Sequence, residues 1–175
     1  MAQMQISKLD AARRQLETAV GLYFNESDPI AIHTLTAAGH QILADLNRSR
    51  GGAPTLVESI LQYIRPDQID EARRRLNAAA NFFKHADRDP AKVQVFDPTQ
   101  TEFMLLDACY NYEGLTGELT PTLGVYMAWF WLGPGAKLVD VSKTKWIDQF
   151  RAAFRGETKG SFFEKVLPMM SKLSF

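Results

Sequence analysis

The sequence is poor in cysteine: Cys109 is the only one among 175 residues. One cysteine excludes an intrachain disulfide and a multi-cysteine zinc site, and it suits a reducing compartment. Residues 1–8 lack the apolar core of a secretory signal. From these absences we predict a cytoplasmic protein.

An excess of one charge sign and a long hydrophobic run are also missing. Lys and Arg together number 20, as do Asp and Glu. Because no global charge draws the chain to nucleic acid or anionic lipid, an electrostatic partner must bind a local patch. The longest apolar run, residues 123–132, is too short to cross a bilayer. It predicts a buried helix, and no membrane partner is expected.

The common catalytic signatures are absent from the sequence. It has no Gly-rich phosphate loop, no H-E-x-x-H and no G-x-S-x-G. Its three histidines, His33, His40 and His85, have no Glu-x-x-His pair beside them. We therefore expect no metal and no cofactor, and the residues favour a non-enzymatic protein over an enzyme.

Apolar residues recur at helical spacing along most of the chain, and strand patterns are nearly absent. Helices are predicted over 6–24, 29–50, 55–64, 67–86, 98–113 and 125–132, with further helices from 142 onward. Residues 91–96 are the one plausible extended stretch. We predict an all-α single domain over 1–175, a helical bundle with a four- to five-helix core plus C-terminal helices.

Three local signals predict how individual helices begin and end. Asp97-Pro98-Thr99-Gln100 resembles a capping box with Pro at the first helical position, and Ser161-Phe-Phe-Glu164 resembles another. Pro168 should kink or end the last helix, because proline lacks the main-chain N–H that a helix interior needs.

The helix predicted over 67–86 has a polar stripe opposite its core face. The core face should include Leu76. At about 100° per residue, Arg74, Asn81 and His85 align on the stripe, and a small Ala78 between them leaves room for a ligand or a second chain. The cations of this helix are compatible with a phosphate contact through Arg74 and Arg88, and Lys84 is a further predicted binding residue. The alternative is a solvated helix face ending in a histidine that favours the helix dipole.

His33 and His40 lie on a stripe of the second helix that flanks its core face. Each is predicted to pack against a neighbouring helix and bond a main-chain carbonyl. The alternative is a binding site shared with His85 across two helices. About 10 Å along the axis separates His33 from His40, too far for joint ligation of one metal. A metalloprotein would need carboxylates from elsewhere, such as Glu102, Asp107 and Glu113.

Two segments, residues 7–17 and 81–87, resemble an uncharacterised bacterial all-helical family. At the fold level, Asn81-x-x-x-His85 at the end of a bundle helix is similar to the HEPN superfamily. Members of that superfamily are often RNases or toxin and phage-defence components, and their paired motifs face each other across a homodimer cleft. The resemblance implies catalytic roles for His85 and Asn81 and a homodimer.

The HEPN motif places an arginine four to six intervening residues before its histidine. In this chain those positions are the alanines 78–80. Arg75 is the nearest upstream arginine, and Arg74 is better aligned in rotation. Without the arginine the motif loses its phosphate-stabilising charge, so the resemblance implies binding of RNA or a nucleotide with a degenerate catalytic motif.

Besides a metalloprotein that uses His33 or His40 with buried carboxylates, two functional hypotheses follow from the sequence. The first is a HEPN-like, defence-associated protein that binds RNA or a nucleotide. The second is a non-enzymatic protein-interaction or assembly protein, supported by more aromatic rings in the last third than one small core needs. These rings belong to Trp129, Phe130, Trp131, Trp146, Phe150, Phe154, Phe162 and Phe163.

Overall fold

A computed structural model describes residues 3–61, 65–85, 87, 89–133 and 152–172. Within them are seven α-helices and no strand: α1 (Lys8–Phe24), α2 (Pro29–Ser49), α3 (Leu56–Leu61), α4 (Ile69–Lys84), α5 (Thr99–Thr116), α6 (Pro121–Leu132) and α7 (Lys159–Met170). A 3₁₀ turn, Pro66–Gln68, precedes α4. The predicted all-α bundle is confirmed. The predicted helix containing Trp146 and Phe150 falls outside the described residues.

Helices α1 and α2 form a tightly packed pair. Ser7 begins α1 by accepting the main-chain N–H of Asp10, and the Asp28 carboxylate begins α2, with Pro29 at its first position. A Cβ atom at Gly39 would lie 2.8 Å from Leu16 Cγ. Glycine at this point therefore allows the two helices to approach closely.

Helix α5 is the central element and packs against α1, α2 and α6. It is buried on most of its circumference, as its apolar composition predicts. Its side chains join a core whose largest fully buried members include Leu16, Phe24, Leu105, Leu123, Tyr126 and Phe130. The Tyr126 hydroxyl donates to the Glu102 carbonyl oxygen at 2.7 Å and ties α6 to α5.

The aromatic residues of the last third face inward wherever the structure describes them. Phe130 and Phe162 are buried, and Trp129 lies 5.8 Å from Phe24 of α1, measured between ring centres. Phe154 and Phe163 pack against the same core. The described rings therefore cover the interior, whereas Trp146 and Phe150 of the predicted interface lie outside the described residues.

Both predicted capping boxes are wrong. Helix α7 begins three residues earlier than Ser161 suggests, because the hydroxyl of Thr158 accepts the Ser161 main-chain N–H. The Asp97 carboxylate accepts the N–H of Thr99 and not that of Gln100. Pro168 lies inside α7, which ends two residues beyond it at Met170.

Helix α4 packs against α2 and is less buried than the other long helices. Its buried positions among the described side chains are Ala79 and Ala80. Leu76, expected on the core face, is 44% exposed, because an open space separates this part of α4 from α5. None of the helices in the described ranges has the length and hydropathy of a membrane span.

Candidate functional site

A polar cleft of about 290 Å³ lies between α2 and α4 and is closed on one side by α5. It brings together four residues that the sequence analysis singled out, His40, Asn81, Lys84 and His85. The complete lining consists of Ala37, His40, Gln41, Asn77, Ala80, Asn81, Lys84, His85 and Met104. No Asp or Glu belongs to this lining, so its described charged and amide groups suit an anion.

His40 is held at the wall of the polar cleft by a carboxylate of α5. Its Nε2 atom lies 2.6 Å from Asp107 Oδ2. The Asp107 side chain is 1% exposed and that of His40 17% exposed, so the carboxylate needs this hydrogen bond and the imidazole reaches the cleft. The partner predicted for His40 was a main-chain carbonyl, and that prediction is wrong. No hydrogen bond among the described residues occupies His40 Nδ1.

His85 lies just beyond the end of α4, which is shorter than predicted. Its main chain is extended, with φ −132° and ψ 129°, and its N–H donates to the Asn81 carbonyl oxygen. Both side chains are exposed. His85 and Asn81 also line an outer cavity of about 490 Å³ with Asp87, Asp89 and Lys92. His85 therefore stands between two cavities and is not packed into the bundle.

His33 occupies the core instead of the cleft. It is fully buried, its Nδ1 lies 2.9 Å from Thr101 Oγ1, and its ring packs edge-on against Phe83 and Phe96. The bond to a main-chain carbonyl predicted here is also wrong. Burial, and secondarily the charge of Lys84, lowers the pKa of His33 below its ordinary value. We infer that it is neutral at pH 7.

The two predicted arginine contacts are not brought to the polar cleft. Arg74 is 75% exposed, pairs with Glu71 at 2.9 Å, and lines neither the cleft nor the outer cavity. Arg88 lies outside the described residues. The cation that does reach the cleft is Lys84.

A larger apolar cavity of about 580 Å³ adjoins the polar cleft and was not anticipated from the sequence. The two spaces share His40, Gln41, Asn77 and Met104 as lining residues. Its apolar surface comes from Ala44, Val57, Leu76, Phe103 and Met104. Its charged residues are Arg48, Arg73 and Glu58, and Arg48 pairs with Glu58 at 3.4 Å. The exposed Leu76 and Phe103 thus face a common space. Helical periodicity reports one helix at a time, so it gave no signal for this cavity.

No group of three or more His, Cys, Asp or Glu side chains able to hold a metal occurs in the ranges that the structure describes. Comparisons with models of protein families, with curated proteins and with solved structures find no match to the chain.

Proposed function

We propose that the protein binds a nucleotide, free or as part of a short RNA, in the polar cleft and the adjoining apolar cavity. One observation carries this proposal: Lys84, His85 and His40 converge from two helices on a cleft whose described lining contains no carboxylate. Such a set of donors suits a phosphate group, which is bound by cations and amide or imidazole N–H groups.

The adjoining apolar cavity suits the base of the nucleotide. Phe103 and Leu76 offer apolar surface there, and aromatic surfaces bind bases without strict sequence preference. His40 lies where the two spaces meet and is oriented by Asp107. A ligand with a phosphate at Lys84 and a base near Phe103 would use both spaces.

This proposal retains the binding part of the HEPN-like interpretation. Asn81 and His85 are exposed at the end of α4, where a ligand can reach them. Alanines occupy the positions of the HEPN arginine, so we propose binding without efficient RNA cleavage. Homodimer formation, a bacterial defence role and catalysis by His85 and Asn81 remain predictions.

The test is fluorescence anisotropy with labelled ATP and with a labelled six-nucleotide RNA at low salt. Lys84→Ala should weaken binding about tenfold, or about 1.4 kcal/mol, because it removes the cleft's cation. Arg74→Ala is the matched control, since it removes the same charge from the same helix at a position outside the cleft. Equal effects of the two substitutions, or no binding of either probe, would overturn the proposal.

A second variant tests the base-binding half. Phe103→Ala should weaken ATP binding several-fold and leave competition by inorganic pyrophosphate unchanged, because pyrophosphate has no base to place against Phe103. If both ligands weaken together, the apolar cavity is not a base site.

Protein interaction is the second candidate function, and a different observation favours it. Two valines outside the cleft, Val93 and Val95, are 91% and 97% exposed. Isolated exposed apolar residues are ordinary, but Val93 and Val95 are separated by a single residue and together form an almost fully exposed apolar pair.

A further inference from the structure

The segment that joins α4 to α5 contains a short run with alternating exposure. Val93 and Val95 are almost fully exposed, whereas Gln94 and Phe96 are half-buried. A period of two is that of an extended chain, in which alternate side chains point to opposite sides. Phe96 fastens the run to the bundle by packing 5.0 Å from the His33 ring.

The main chain of this run has free hydrogen-bonding groups. In the described part of the chain, neither the N–H nor the carbonyl oxygen of Val93 or Val95 takes part in a hydrogen bond. The preceding residue is different, because the N–H of Lys92 donates to the Asp89 carbonyl oxygen. An extended run with unpaired groups and β-branched side chains is a template for another strand.

The run is complementary to itself in one antiparallel register. With a twofold axis through Gln94, Val93 of one copy lies opposite Val95 of the other, and Gln94 lies opposite Gln94. If Gln94 occupies a non-hydrogen-bonded position, the four bonds formed use only the free groups of Val93 and Val95. The same register leaves the occupied N–H of Lys92 undisturbed.

The charged neighbours of the run are compatible with this register. Asp97 of one copy comes opposite Ala91 of the other, beside Lys92, and Lys92 comes opposite Phe96. Like charges that face each other would destabilise the strand pair. In this register no like charges face each other. The two valines of each copy then lie beside those of the other on a single face, which removes part of their apolar surface from water.

We propose that residues 92–96 pair with the same residues of a second copy in an antiparallel, twofold-symmetric arrangement centred on Gln94. This is an isologous contact, in which each copy offers the same surface. It differs from a helix-to-helix dimer and does not depend on the nucleotide proposal. Since Lys92 also lines the outer cavity beside His85, pairing places the outer cavities of the two copies near each other.

Register-specific disulfide formation tests the proposal. Gln94→Cys should cross-link to itself under mild oxidation, because directly opposite non-hydrogen-bonded residues have Cα atoms about 4.5 Å apart, within reach of a disulfide. Val93→Cys alone should cross-link at least fivefold less, although Val93 is the more exposed position. An equimolar mixture of Val93→Cys and Val95→Cys should give the mixed dimer.

Random collision would produce the opposite order, with Val93→Cys reacting faster than Gln94→Cys. The unmodified chain serves as a background control, because Cys109 is buried and burial raises the pKa of its thiol. The proposal is overturned if Val93→Cys cross-links faster than Gln94→Cys, or if Gln94→Cys does not cross-link at all.

Sedimentation equilibrium supplies a readout without new cysteines. The unmodified chain should show a concentration-dependent mass, and Val95→Asp should weaken its association at least tenfold. Met169→Asp is the matched control, since Met169 is a half-exposed apolar residue on α7. A monomer at every concentration, or equal effects of the two substitutions, contradicts strand pairing.

Discussion

The two sides of α5 pack against very different surroundings. Toward α1 and α6 it presents Leu105 and Cys109 to a hydrophobic core rich in aromatic rings. Toward α2 it presents Thr101 and Asp107, each bonded to a histidine. Beside Phe103, the apolar cavity lies between α5 and Leu76 of α4.

Because of this difference, one side of α5 should contribute mainly to the stability of the fold and the other side is available for binding. The side facing α1 and α6 buries apolar surface and should supply most of the free energy of folding. The other side has polar pairs and open space, which contribute less to stability and leave room for a ligand. Substitutions on the two sides should therefore affect different measurements.

The largest expected effect on stability is for a substitution on the side of α5 that faces α1 and α6. Leu105→Ala should lower the free energy of unfolding by about 2–5 kcal/mol, because Leu105 is fully buried and its loss leaves a cavity. Urea denaturation measures it. Phe103→Ala is the matched change on the open side and should cost less than half as much, since Phe103 is 48% exposed. Similar losses at both positions would remove the contrast between the two sides.

An intermediate effect is expected for the pair of His40 and Asp107. A double-mutant cycle with His40→Ala and Asp107→Ala should give a coupling energy of about 1–3 kcal/mol, because the Asp107 carboxylate is buried. The exposed pair of Arg48 and Asp45 is the reference and should couple by less than about 1 kcal/mol. A coupling no larger than this reference would show that Asp107 does not hold His40 in place.

The smallest effect is a pH dependence centred on His33. Its pKa in the folded state is lowered, chiefly by burial, so the unfolded state binds the proton more readily. The free energy of unfolding should therefore fall as the pH drops below the unfolded value of about 6.5. Denaturation between pH 7.5 and 5 should show this slope, and His33→Asn should reduce it. An unchanged slope in the variant would assign the effect to other groups.

Much of the fold could be predicted because helical periodicity and helix-end signals are local. The bounds of α1 and α2 lie within two residues of those that the apolar spacing predicts. The capping box at Ser161 failed because a nearby residue, Thr158, offered the oxygen instead. Such competition between neighbouring oxygens is settled by main-chain geometry, which a motif does not contain.

The candidate site could be predicted only in part. The polar stripe correctly singled out Asn81 and His85 as exposed. It also suggested Arg74, which instead pairs with Glu71 in solvent. The positions 33 and 40 share one stripe of α2, yet His33 is in the core and His40 is at the cleft. A helical wheel shows in which direction each side chain points around its own helix axis. It does not show which neighbouring element that side chain faces.

By itself the amino-acid sequence determined an all-helical chain, the main helix ends and the exposed end of α4, because these depend on neighbours within a few turns. Only the tertiary structure decided that Asp107 supports His40, that His33 is enclosed by Phe83 and Phe96, and that a cavity opens beside Phe103. The contacts of Asp107 with His40 and of His33 with Phe83 and Phe96 join residues fifty or more positions apart, and they exist only once α2, α4 and α5 have packed.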